Sequence, residues 1–191
     1  MDAAELLFAR KGHDSVTLRD ISSALGLTHA SLYYHFPGGK DELFAEVMER
    51  NLRRHGEGLS AALRAGGPQL RGKLEGAALW FLSQPPMDLI RMAQTDLAAL
   101  SPERARRIMD LVYELILRRL QDEFEASRSS GEIGPCDPGL LAGALLGLVE
   151  SLHSVPVEIV GRDRMDMARE LIGVLLKGID YEEETHAGSR A

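Results

Sequence analysis

The chain contains a single cysteine, Cys136, among 191 residues, so no disulfide can close within it. That excludes the disulfide-stapled scaffolds and fits a reducing compartment, so a cytoplasmic location is expected. Long apolar runs are also missing. The best candidate, Leu140–Val149, contains glycines and falls short of the roughly 18 residues of a membrane span. No basic segment followed by an apolar one opens the chain, so no secretory signal is expected. Basic excess is lacking too: the formal net charge is −7. This is a poor footprint for a nucleic-acid binder, because neutralising phosphates needs Lys and Arg. The deficit is milder near the start. Residues 1–55 carry seven basic and eight acidic side chains, so the acidity sits mainly downstream. Strand-like alternation bounded by turn residues is almost absent.

What is present is helical periodicity in an ordinary globular composition, 45% hydrophobic and 27% charged. A first helix is expected over about Ala3 to Lys11, ended by Gly12. Thr17-Leu18-Arg19-Asp20 reads as a capping box that opens a second helix. Leu18, Ile21 and Leu25 lie on one face of it, and Gly26 stops it after two turns. Thr28 caps a third helix, His29 to Phe36, with Leu32 and Phe36 inward. Pro37-Gly38-Gly39 breaks the chain before a fourth helix, expected from about Asp41. Composition shifts after residue 56. Longer helical patterns follow over about 69–83, 87–100, 102–127, 138–153 and 164–179, separated by Pro and Gly.

Residues 17–36 thus supply the parts of a helix-turn-helix. A capped bracing helix is followed by a glycine turn and a short second helix whose outward side chains can meet a major groove. Those outward positions are His29, Ser31, Tyr33, Tyr34 and His35. On spacing alone, an ordinary helical hairpin fits as well.

The ordered elements Thr17-Leu18-Arg19-Asp20-Ile21, Gly26-Leu27-Thr28, Leu32-Tyr33-Tyr34-His35-Phe36 and Lys40-Asp41-Glu42-Leu43-Phe44 resemble the N-terminal domain of the tetracycline-repressor (TetR) family. The opening Ala4-Glu5-Leu6-Leu7-Phe8-Ala9-Arg10-Lys11-Gly12 matches its first helix. The resemblance covers about residues 3–48. It implies that Thr17 and Arg19 lie near phosphates, that Thr28, His29, Ser31 and Tyr33 form the recognition surface, and that Tyr34 and His35 lie beside the backbone. Lys40 would match the family's phosphate-binding lysine. The resemblance also implies a homodimer and a small effector bound in the C-terminal part. Relatives usually carry a basic extension ahead of the first helix, which this sequence does not contain. The Pro37–Lys40 stretch is one residue longer than the commoner spacing. The recognition helix holds no Arg or Lys, so bidentate guanine readout is closed to it.

The expected architecture is all-α. A helix-turn-helix DNA-binding domain covers 1–48, a helical ligand-binding and dimerisation domain 49–181, and a polar tail 182–191. Trp80, Phe81, Met87, Met92, Met109, Tyr113 and Phe124, with Glu150 and His153 as polar members, are candidates for an effector pocket. Taken singly, each is as readily a core residue. Leu141, Leu145, Leu148 and Leu152 form one apolar stripe; Leu171 and Leu175 belong to another. With Gly139, Gly143 and Gly147 spaced every four residues, these stripes suggest a four-helix interface between two copies. The histidines show no zinc spacing, and neither metal nor cofactor is expected. Cys136 reads as an inert loop thiol. No catalytic constellation appears. The expected function is a regulator, a repressor released from a palindromic double-stranded operator by a small, largely apolar molecule. A helical small-molecule carrier or enzyme without DNA binding is the alternative.

Overall fold

The computed structural model describes residues 2–86 and 92–179; Met87 and the polar tail expected over 182–191 lie outside the described residues. Among the described residues every regular element is helical. Five helices open the chain: α1 (Asp2–Ser15), α2 (Leu18–Leu25), α3 (His29–His35), α4 (Gly39–Ala65) and α5 (Leu70–Ser83). A π turn, Met92–Asp96, and a 3-10 turn, Leu97–Ala99, lead into α6 (Pro102–Val112). A second π turn, Tyr113–Leu117, joins α6 to α7 (Arg118–Ser130). Then come α8 (Pro138–Ser151), the short α9 (Val157–Val160) and α10 (Arg164–Ile179).

The departures from expectation have local causes. Gly12, with φ 73° and ψ 169°, breaks α1 as anticipated, but a final turn resumes beyond it. The described part of the helix expected over 87–100 is π and 3-10 turns, and the one expected over 102–127 is interrupted at Tyr113–Leu117. α4 starts two residues early and runs unbroken through the glycines at 56 and 58 to Ala65. Those glycines are close-packing points. A Cβ on Gly56 would sit 3.0 Å from Leu115 Cβ, and one on Gly58 only 2.0 Å from the Trp80 ring. The boundary expected at residue 48 therefore falls inside one continuous helix.

Two ends of α4 enter two parts of the core. Leu43, Phe44 and Val47 pack with Phe8, Val16, Ile21 and Leu32, all at most 2% exposed. Phe8 meets Phe44 edge-on at 5.0 Å between ring centroids, a pairing favoured by the ring quadrupoles. Further along, Leu52, Leu59 and Leu63 join Leu74 and Phe81 of α5 and Ile116, Leu120 and Phe124 of the following segment. α8 and α10 complete this second part with Ala142, Leu145, Val149, Ala168 and Ile172. Leu145 and Leu152, expected between two copies, are thus corrected to the protomer interior, at 3% and 4% exposure. α8 is apolar nearly all round, so its leucine stripe could not reveal which side faces its own core. The outward side carries Leu140, 70% exposed, and α10 presents Val174, 64% exposed. Leu141, Leu148, Leu171 and Leu175 are half-buried.

α4 and α5 form an antiparallel hairpin whose backbones touch at the turn. A Cβ on Gly72 would lie 2.2 Å from the Gly66 carbonyl oxygen, and one on Gly76 2.7 Å from that of Ala62. Because backbone cannot give way as a side-chain tip can, Gly72→Ala is expected to force the pair apart and lower stability by about 1–3 kcal/mol, as overpacking does. Denaturant melts of wild type and variant check this.

Candidate nucleic-acid interface

The α2–turn–α3 unit is built by its own caps. The Asp20 backbone N–H donates to Thr17 Oγ1 at 3.1 Å, and Asp20 Oδ2 accepts from the Thr17 backbone N–H at 3.0 Å and from its hydroxyl at 2.7 Å. These bonds, the backbone one first, hold the Asp20 carboxyl below the usual carboxylate range. Gly26 takes φ 65° at the turn, a conformation that costs glycine little. Thr28 Oγ1 then accepts the Ser31 backbone N–H at 3.1 Å and starts α3. Of their apolar side chains, Ile21 and Leu32 alone are almost completely buried in the core, at 0% and 1% exposure.

Everything else on α3 faces outward. Thr17, Arg19, Thr28, His29 and His35 are exposed, and Ser31 is half-buried. Tyr33 is 49% exposed and lies beside Gly39, whereas Tyr34 is 82% exposed and meets the His35 ring edge-on at 5.3 Å. The face is polar and aromatic, with hydroxyls and ring nitrogens as its hydrogen-bonding groups. Such groups can bond phosphates and base edges and touch thymine methyls. Lys40 is half-buried, and its Nζ donates to the His13 carbonyl at 3.0 Å. One of its three donors is engaged there, so the ammonium is held at the edge of this face.

His13 is a joint that no sequence pattern announces. At 3% exposure its Nε2 meets Asp41 Oδ1 at 2.9 Å and its Nδ1 meets Asp14 Oδ1 at 3.0 Å. Its backbone N–H donates to Asp96 Oδ1 at 2.8 Å. The end of α1, the first turn of α4 and the segment before α6 therefore converge on one residue. Arg107 of α6 adds a two-pronged pair with Glu49 of α4, at 2.7 and 2.9 Å. Beside this joint lies a cavity of about 40 Å³, walled by Phe8, Phe44, Met48, Pro85, Met92 and Asp96 among others. Local motifs cannot signal the joint, because Asp41 and Asp96 are 28 and 83 residues away from His13.

The expected effector residues divide. Phe81 stacks on His55 at 6.0 Å, and Trp80 meets the same ring edge-on at 6.2 Å. His153 bonds the Phe81 backbone, and its own pKa is lowered mainly by burial. Met92 is buried at the joint cavity, Phe124 is in the core, and Glu150 is half-buried on α8. Met109 and Tyr113 are corrected to the outer surface, 42% and 46% exposed, because Ile108, Val112 and Ile116 supply the inner face of that segment. His55, absent from the expected set, is 1% exposed. Burial first, and then the Arg54 charge, push its pKa down to about 4, against a smaller opposing effect of Glu5. Among the described residues no group of His, Cys, Asp and Glu could hold a metal ion, and no helix is long and apolar enough to cross a membrane.

Comparison with known proteins gives the site a context. Residues 1–47 match the family model described as bacterial regulatory proteins, tetR family. The biofilm operon icaADBC HTH-type negative transcriptional regulator IcaR of Staphylococcus epidermidis is 43% identical over 49 residues, 26% of this chain and 26% of that protein. The chain thus matches about a quarter of the length of its curated relatives. The structure of AibR in complex with isovaleryl coenzyme A and operator DNA superposes with a TM-score of 0.72 at 20% identity, over 91% of this chain and 94% of that one. FadR from Bacillus subtilis, in complex with stearoyl-CoA, gives 0.71 at 17%, over 93% and 96%. At these identities the shared property is the fold.

His55 generates a pH prediction. Its folded pKa lies below the ordinary histidine value of 6.5, near 4. Between those values the unfolded chain takes up a proton that the folded chain excludes, so stability falls as pH drops through that window. Against His55→Phe, wild type should lose up to about 3 kcal/mol more between pH 6.5 and 4, read from denaturant melts at several pH values. Parallel pH profiles would contradict the burial of a neutral ring.

Proposed function

We propose that the chain, whose residues 1–47 match the model of the tetR family of bacterial regulatory proteins, is a homodimeric, ligand-responsive transcription regulator of that family, a repressor that leaves its operator when a small, largely apolar molecule binds. The observation that carries this reading is the outward face of α3. Two capped helices hold His29, Tyr33, Tyr34 and His35 in solvent beside the tethered Lys40. A carrier needs no such face. The matched part of IcaR belongs to a negative transcriptional regulator, and AibR shares the fold in a complex holding both operator DNA and an acyl-coenzyme A. These support a regulator. Action on DNA implies a cytoplasmic site of work.

In this reading Thr17, Arg19 and Lys40 meet phosphates, while Thr28, His29, Ser31 and Tyr33 meet bases. Tyr34 and His35 lie along the backbone. The second copy docks on the outward side of α8 and α10, through Leu140, Leu141, Leu148, Leu171, Val174 and Leu175. Gly143 and Gly147 favour that approach, since a Cβ on either would meet nothing within 4 Å in the protomer. A twofold dimer presents its recognition helices to half-sites about 34–36 Å apart. The effector acts only through the difference between its affinities for the two dimer states.

Gel-shift assays on the chain's own upstream DNA test the reading. Saturable, palindrome-dependent binding that weakens with salt is expected; no specific binding to any duplex would overturn it. Lys40→Ala should weaken binding to all sequences alike and reduce the salt slope by about one unit. Tyr33→Ala should cost more on the cognate site than on random DNA. Val174→Glu should convert dimer to monomer in sedimentation experiments while leaving the helical circular-dichroism spectrum intact.

A further inference from the structure

Binding a polyanion needs cations, yet residues 1–55 hold seven basic side chains against eight acidic ones, and α3 holds no Lys or Arg. The fold brings positive charge to this end from further along the chain. The start of α6, Arg104-Ala105-Arg106-Arg107, has three arginines in four residues. α6 and the segment after it run alongside α4 in the same direction. Arg107 pairs with Glu49, Leu115 lies against Gly56, and Arg119 Nη1 donates to Ser60 Oγ at 2.6 Å. The first turn of α6 therefore lies beside the first turn of α4, where the chain leaves α3.

The three arginines meet different surroundings. Arg107 is neutralised by Glu49, at 2.7 and 2.9 Å. Arg106 is exposed and, two residues after Arg104, projects from the other side of the helix. Arg104 is half-buried. Its Nη2 stands 3.2 Å from the place that a Cβ on Gly38 would take, so the guanidinium rests on bare backbone at the entry to α4. Glu42 approaches the same spot, but its Oε2 accepts the Gly38 backbone N–H at 2.7 Å. Among the described residues no ion pair ties down the Arg104 guanidinium. The adjoining Gly39 lies beside Tyr33, and Lys40 follows.

We infer that Arg104 is a DNA-phosphate contact, a cation that α6 lends to the helix-turn-helix face. This role rests on the DNA-binding reading above and adds to it a residue outside both the helix-turn-helix and the matched residues 1–47. A guanidinium keeps its charge at any working pH, and its paired N–H donors match phosphate oxygens. Packing against Gly38 holds it in place before DNA arrives, so little side-chain freedom is lost on contact. With Lys40 it sets two cations at one turn. A phosphate contact carries no base information; it fixes how the protein sits on the duplex.

Fluorescence anisotropy of the full-length protein tests this, on a labelled random-sequence duplex and on the chain's own upstream DNA, with salt raised from about 50 to about 200 mM. Arg104→Ala should weaken binding to both duplexes by at least about fivefold and lower the salt slope by about one unit per protomer. Arg104→Lys should keep most of the slope. Denaturant melts of Arg104→Ala should match wild type; should that variant not fold, Arg104→Gln replaces it. Arg106→Ala removes the same charge from the other side of α6 and should change affinity less than twofold, a contrast that a merely long-range charge effect would erase. An unchanged salt slope in Arg104→Ala, or an equal loss in Arg106→Ala, would overturn the assignment. Specific binding of wild type to the upstream DNA with no effect of Arg104→Ala removes the contact and spares the regulator. Salt-dependent binding to both duplexes alike that Arg104→Ala weakens does the reverse.

Discussion

The burial of α4 in two different places is the constraint on which the rest of the molecule depends. Its first turns are covered by α1, α2 and α3 around Phe44, and its later turns by α5, α6 and α7 around Leu52, Leu59 and Leu63. Helix hydrogen bonds run unbroken between those regions over 27 residues, so no flexible linker separates the helix-turn-helix unit from the rest. Neither region can settle its own packing without fixing the direction of the helix for the other. The polar contacts respect the same arrangement. Asp96 to the His13 backbone and Arg107 to Glu49 both cross from the later part of the core to the helix-turn-helix end, close to where α4 passes between them.

The helix-turn-helix unit itself is small and held by little. Caps at Thr17 and Thr28, a glycine turn and two fully buried apolar side chains define it. Its electrostatics are weak for a nucleic-acid reader, and α3 adds no permanent positive charge. In the proposed role, affinity comes from shape, from hydroxyl and ring contacts, and from two copies acting together. Lys40 serves both the fold and the face, since the ammonium that would approach a phosphate also bonds the end of α1.

The sequence was most readable where structure is set within a few residues. The caps, the Gly26 turn and the breaks at Gly12 and Pro37 depend on neighbours in the chain, and Thr17 and Thr28 cap their helices where their spacing indicated. Features that depend on distant partners were hidden. The glycines at 56, 58, 66, 72 and 76 looked like a change of composition; in space they are points where another helix or a tryptophan presses on bare backbone. The stripe on α8 correctly implied burial but not against what, so Leu145 and Leu152 went to the wrong surface. His55 and His13 carried no motif. Their roles come from what the fold brings around them, and neither has neighbours in the chain that would mark it.

The contact between Gly66 and Gly72 has a mechanical consequence. Because those backbones touch, the α4–α5 hairpin is tied firmly at that end, while its opposite end is propped by a side chain. α4 is then a lever with its fulcrum near Ala65 and Lys40 at the tip. At 1.5 Å per residue its 27 residues span about 40 Å. A tilt of about 5° moves the tip about 3.5 Å, and in the proposed twofold dimer on DNA the two tips would separate by about twice that. A displacement of one ring's thickness at the propped end is thus magnified several-fold at the other.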